Sequence, residues 1–82
     1  MFFVYAIRSM TRNYIYVGLT SNIDRRLSEH NSGNNKTTKP YIPFELIITE
    51  SFLTRIEARA REKYLKSGIG KEYLKMILSS KN

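Results

Sequence analysis

Apolar residues run unbroken from Phe2 to Ile7, rich in aromatic and branched side chains and too short for an ordinary buried helix. The segment reads as a strand covered on both faces. A polar stretch from Arg8 to Asn13 interrupts the run, and a second aromatic and branched run from Tyr14 to Leu19 predicts an antiparallel hairpin partner. Pairing Arg8 with Asn13 across the loop sets Tyr5 opposite Tyr16 and puts both phenols on one face, whereas a slip of one residue would part them. Thr20, Ser21 and Asn22 then offer helix-capping oxygens, and Ile23 with Leu27 marks the inner face of a short helix ending near His30. The polar and basic stretch from Asn31 to Pro40 is a long loop, of the kind that meets a ligand or stays mobile.

Beyond Pro43, the apolar residues Phe44, Leu46 and Ile48 alternate with Glu45 and Thr49 around Ile47, which predicts a third strand at a sheet edge, where proline is tolerated. Thr54 with Glu57 has the capping-box spacing, so a helix should start there and last until Ser67-Gly68. Gly70 is expected to separate it from a final helix, Lys71 to about Leu78, with Tyr73/Ile77 and Leu74/Leu78 as its buried stripe. The expected fold is α/β in the α+β sense: a small three-stranded, mainly antiparallel sheet flanked by helices in the order β-β-α-β-α-α. One domain over residues 1–82 accommodates all of it.

The long helix offers two stripes to the core. Ala58, Glu62, Leu65 and Ile69 form one; Ile56, Ala60 and Tyr64 form the other, and periodicity alone leaves the choice open. If the first stripe faces the sheet, the Glu62 carboxylate is withdrawn from water and needs a cation, a metal ion or an arginine. If it does not, Glu62 is a surface acid paired with Lys66 one turn on.

Charge narrows the partners. Fourteen Lys and Arg against seven acids give a formal charge of +7, gathered in residues 1–40 and 55–82, with only Glu45 and Glu50 between. Nucleic acid is the natural partner of such a surface, although solubility alone would also account for it. The chain has no cysteine, which removes disulfides and thiolate metal ligands. The seven apolar residues at the start lack the basic lead-in and length of a secretory leader, and no stretch reads as a membrane span, so a cytoplasmic protein is expected.

Arg26 and His30 sit four apart and share a helix face, a pairing able to meet a phosphate, but taken alone such a pair is common on surface helices. The joint arrangement carries more. Val4-Tyr5-Ala6 is followed after about ten residues by Tyr16-Val17-Gly18-Leu19-Thr20, then by Asn22-Ile23, Arg26-Leu27 and His30-Asn31, and downstream by Glu57-Ala58, Glu62, Leu65 and Lys66. Over roughly residues 2–75 this pattern resembles the GIY-YIG nuclease family, in its small stand-alone form similar to the UvrC N-terminal or URI-type domain. The chain departs from the family in two places. Val-Tyr-Ala stands where the first motif has Gly-Ile-Tyr, and Asn82 is poorly placed for the asparagine some branches carry after the acidic helix.

The resemblance implies a divalent-metal-dependent endonuclease whose catalytic residues are Tyr5, Tyr16, Arg26, His30 and Glu62. Glu62 would hold one Mg²⁺ or Mn²⁺, Arg26 would meet the scissile phosphate, and Tyr5 would take a proton with help from Tyr16 or His30. Gly18 would let substrate or the neighbouring helix approach the strand; a simple bulge at the strand end is the other reading. Lys36, Lys39, Arg55, Arg59, Lys63 and Lys66 would neutralise backbone phosphates of nucleic acid, DNA sooner than RNA, without reading sequence. A symmetric homodimer would be needed to cut both strands together, and a chain not active alone would depend on a partner protein. Two further readings stand beside this one: a non-catalytic nucleic-acid-binding module of the same fold, and a small interaction protein whose charge serves solubility.

Overall fold

The computed structural model describes residues 1–80; Asn82 lies outside the described residues. Seven elements follow one another: β1 (Phe2–Ser9), β2 (Ile15–Thr20), α1 (Ile23–Asn31), a short 3-10 turn (Lys39–Tyr41), β3 (Phe44–Phe52), α2 (Arg55–Lys66) and α3 (Gly68–Ser80). The three strands form one antiparallel sheet in the order β2-β1-β3, so β1 is central and Pro43 stands before an edge strand, as the pattern predicted. Val4, Tyr5, Ala6 and Ile7 are all buried, two on each face.

β2 and β3 both run antiparallel to β1, hence parallel to each other with β1 between them, and the chain crosses from one to the other through α1. That crossing lays α1 over the face bearing Tyr5 and Ile7, where Ile23 and Leu27 pack with Phe44, Tyr14, Tyr16 and Leu46. α2 and α3 cover the opposite face, where Val4, Ala6, Val17 and Ile47 meet Ala58, Leu65 and Leu74. Asn31 pins the end of α1 to the start of β3: its side-chain amide donates to the Phe44 carbonyl at 3.3 Å and accepts from the Phe44 N–H at 2.6 Å.

Several details differ from the sequence reading. The hairpin pairs Arg8 with Ile15, and therefore Tyr5 with Gly18 and Ile7 with Tyr16. The register is displaced by two residues from the expected one because the loop keeps Tyr14, whose carbonyl accepts from the Ser9 N–H at 2.9 Å. An even displacement preserves the face, so the two phenols remain on one side as diagonal neighbours. In β3 the pairing jumps from Ala6↔Ile48 to Ile7↔Leu46, a bulge that leaves Ile47 as the extra residue. Phe44 and Leu46 thereby serve the α1 layer while Ile48 and Phe52 serve the α2–α3 layer, so their alternation does not describe one face.

α2 presents its first stripe: Ala58, Glu62 and Leu65 are buried, and Ile56 is 84% exposed. Ile69 does not continue that stripe. α2 stops at Lys66, α3 begins at Gly68, and Ile69 is left in solvent. Gly70 lies inside the first turn of α3 instead of before it, because a Cβ there would run into the Tyr64 carbonyl and the Leu65 backbone. Its missing side chain lets the two helices meet backbone to backbone. Leu74, Ile77 and Leu78 reach the core, but Tyr73 stays 38% exposed with the Arg61 guanidinium 5.5 Å from its ring centre.

Candidate active site

Tyr5 projects from the middle of the central strand into the α1 layer and is 2% exposed. Its ring lies across Gly18 on the facing strand, so that a Cβ at Gly18 would stand 2.5 Å from the phenol oxygen. What approaches Gly18 closely is thus the Tyr5 ring, not the neighbouring helix that was one of the expected visitors. The phenol oxygen lies 2.8 Å from His30 Nε2, and Arg26 Nε–H donates to it at 3.4 Å. α1 delivers both partners because Arg26 and His30 are one turn apart on the side turned towards β1.

Tyr16 joins the group from β2. Its ring centre lies 4.9 Å from that of His30 and 6.3 Å from that of Tyr5. Glu29 receives Arg26 Nη1 at 3.4 Å, and Arg26, Glu29, His30, Asn34 and Asn35 line a recess open to solvent beside the phenol. Burial pushes the Tyr5 hydroxyl above its ordinary pKa of 10.0; the Arg26 hydrogen bond works against that shift, and the Tyr16 and Glu62 charges add to it. Burial, followed by the Arg26 charge, pushes His30 below its ordinary 6.5, so its imidazole is neutral at pH 7. Arg26 is pushed above its ordinary value first of all by the Tyr5 bond, which keeps it a permanent cation.

Glu62 comes from the other layer. It is 7% exposed, with Arg59 Nη1 at 3.3 Å and Lys66 Nζ at 3.2 Å from its two oxygens. The surface reading of this residue does not hold, because the carboxylate is buried, although its expected pairing with Lys66 at i+4 is present. The two cations keep most of their side chains in solvent, at 60% and 54%, while the carboxylate they neutralise is withdrawn from it. Glu62 packs on the α2 side of the sheet, and its charge adds slightly to the upward push on the Tyr5 hydroxyl.

Arg59, Lys63 and Lys66 line a shallow depression with Glu62, and Arg55 continues their stripe one turn earlier on α2. Lys36 lies in the loop after α1, and Lys39 opens the 3-10 turn that follows it. Sequence reasoning missed two residues here. Thr38, inside that polar loop, is fully buried with its hydroxyl 3.0 Å from His30 Nδ1, and Glu29 holds Arg26. The i, i+3 spacing of Arg26 and Glu29 was a readable signal, but nothing in the loop's composition marks Thr38. Among the described residues no cluster of three or more His, Cys, Asp or Glu is arranged to hold a metal, and no helix is long and apolar enough to cross a membrane.

Comparison with known proteins places this geometry in context. The family model of the GIY-YIG catalytic domain matches residues 1–74. A UPF0213 protein of Staphylococcus haemolyticus is 36% identical over 76 residues, covering 92% of each chain. A UPF0213 protein of Clostridium perfringens is 32% identical over 80 residues, covering 96% of this chain and 85% of its own. The solution NMR structure of a UPF0213 protein from Bacillus halodurans superposes with a TM-score of 0.56 at 33% identity, covering 94% of this chain and 85% of that one.

Proposed function

This chain belongs to the GIY-YIG catalytic-domain family, a family of nucleases, and from that membership we propose that it is a divalent-metal-dependent endonuclease that hydrolyses phosphodiester bonds, in DNA sooner than RNA. The observation that carries the reading is the convergence of Tyr5, Tyr16, Arg26 and His30 in one cluster beside a recess that Arg26 and His30 line, with Glu62 a buried carboxylate on the α2 side of the sheet.

Glu62 suits one hard cation. It is a withdrawn carboxylate whose present partners are two largely exposed cations, and Mg²⁺ characteristically takes few protein carboxylates while keeping waters and phosphate oxygens. When bound, Mg²⁺ or Mn²⁺ would supply positive charge against the scissile phosphate and the leaving oxygen. The chain's own residues do the rest. Arg26 is fixed by Tyr5 and Glu29 at the mouth of the recess, where its guanidinium offsets charge that grows on the non-bridging oxygens. Tyr5 handles the proton. Because its pKa is raised, free phenolate is scarce, so the phenolic proton passes to the neutral His30 Nε2 as the oxygen takes one from the attacking water. The water oxygen bonds to phosphorus, and the ester oxygen leaves with the broken strand. Tyr16 packs on His30 and limits its movement. The α2 stripe and the α1–β3 loop hold the phosphate backbone through Arg55, Arg59, Lys63, Lys66, Lys36 and Lys39.

The decisive assay is cleavage of labelled linear, branched and single-stranded DNA and RNA at low salt with Mg²⁺, Mn²⁺ or EDTA. Cutting that needs metal and falls by about a hundredfold or more in both Glu62→Gln and Arg26→Ala is the expected result. The second reading, a non-catalytic nucleic-acid-binding module, draws on the ion pairs that already neutralise Glu62. Chelator-insensitive binding of the same panel with no cutting would favour it.

A further inference from the structure

Thr38 is fully buried although it sits in the polar loop between α1 and β3. A loop hydroxyl goes inside when a buried partner needs it. The loop is shaped to deliver it: Asn35 Oδ1 accepts from the N–H groups of Thr37 and Thr38 at 2.9 and 3.3 Å, and the Asn35 carbonyl accepts from the Lys39 N–H at 2.9 Å. Thr38 Oγ1 then lies 3.0 Å from His30 Nδ1, while Nε2 of the same ring lies 2.8 Å from the Tyr5 hydroxyl.

A neutral imidazole carries one N–H, so two arrangements compete. The other neighbour of the Tyr5 oxygen is Arg26 Nε, and a guanidinium only donates. Within this network the phenolic proton therefore has His30 Nε2 as its acceptor, which leaves the imidazole proton on Nδ1. The opposite arrangement would aim two N–H donors at the phenol oxygen and strand its buried proton, at the cost of an unmade hydrogen bond. The charged and titratable groups around the ring are Arg26 and Glu29 on α1, Tyr5 on β1 and Tyr16 on β2, and the hydrogen bond recorded at Nδ1 is to Thr38.

We propose that Thr38 is a positioning residue that accepts the Nδ1–H of His30 and so holds the imidazole in the tautomer whose Nε2 faces Tyr5 as an acceptor. The inference rests on the reading of Tyr5 and His30 as the proton-handling pair. Thr38 touches neither substrate nor metal; it acts through His30 alone.

His30 is the only histidine, so ¹⁵N-edited imidazole spectra of the whole protein report one ring. Spectra are recorded well above the histidine titration for wild type, Thr38→Val and Thr38→Ser. Wild type and Thr38→Ser are expected to carry the proton on Nδ1, while Thr38→Val moves towards the Nε2–H form that free imidazole prefers. In cleavage, Thr38→Val should lower kcat by roughly tenfold with KM nearly unchanged, and Thr38→Ser should restore it. A wild-type ring protonated on Nε2, or a Thr38→Val ring with an unchanged tautomer, overturns the proposal. If Thr38→Val does not fold, the wild-type spectrum still decides the tautomer, and Thr38→Ser must leave it unchanged. The spectra need no turnover, so a chain that binds without cutting would sink the nuclease reading and leave the tautomer assignment to be judged by itself.

Discussion

Gly18 and Tyr5 face each other across the hairpin, and the phenol occupies the space a side chain at residue 18 would need. A methyl group there meets the phenol oxygen and two ring carbons within 2.9 Å, backed by the packed α1 layer. Gly18→Ala is therefore expected to lower stability by about 1–3 kcal/mol, the usual cost of overpacking, and to displace the Tyr5 hydroxyl from His30; thermal melting and the imidazole spectrum read the two effects. His30 makes a second prediction at this scale. Its folded-state pKa is lowered, so the unfolded chain takes up a proton that the native protein resists. The stability it contributes is present in full above the ordinary 6.5 and is lost as pH falls through the lowered value, so melting should drop as the pH is taken below 6.5, and His30→Gln should flatten that slope. Residue identities were the most legible part of the chain. Tyr5, Tyr16, Arg26, His30 and Glu62 stand out because their spacing matches a family pattern, whereas Thr38 does not, since burial of a loop hydroxyl depends on where a whole loop folds back.

At the level of elements, the α2–α3 junction is the tightest fit. Leu65 Cα would stand 2.5 Å from a Cβ on Gly70, and backbone cannot yield as a flexible side-chain tip can. Gly70→Ala should cost roughly 2 kcal/mol or more and loosen α3, seen as a lower melting temperature and faster amide exchange around Leu74. The element order and the caps could be read from sequence: Thr54 accepts from the Glu57 N–H, and Asn22 from the Arg25 N–H. The start of α3 could not, because Gly70 is chosen by contact with a second helix and local pattern records only that a glycine is present. Hairpin register failed in a similar way. The side-chain period of two constrains parity, so the shared face of Tyr5 and Tyr16 was legible while the pairing itself was off by two residues.

Taken as a whole, the molecule carries +7, and besides Arg26 at the scissile phosphate six of its cations are proposed to meet the phosphate backbone. Arg59 and Lys66 already face Glu62, leaving Lys36, Lys39, Arg55 and Lys63 to release counterions on binding. Affinity for duplex DNA should then fall with salt at a log–log slope of about −4, measured by fluorescence anisotropy across a salt series. Reversing Lys63 and Arg55 to Glu should flatten the slope and leave the fold intact. The basic surface proposed to meet nucleic acid was legible from charge; that Glu62 is buried on the α2 side while Tyr5 lies on the α1 side was not, since no local window contains both. The bulge at Ile47 has a further meaning at this scale. By turning β3 over in mid-strand, it makes one strand the floor of two cores, the α1 layer through Phe44 and Leu46 and the α2–α3 layer through Ile48 and Phe52. Neither layer can be peeled away without breaking the strand that supports the other, so the protein's two halves are bound to melt as one cooperative unit.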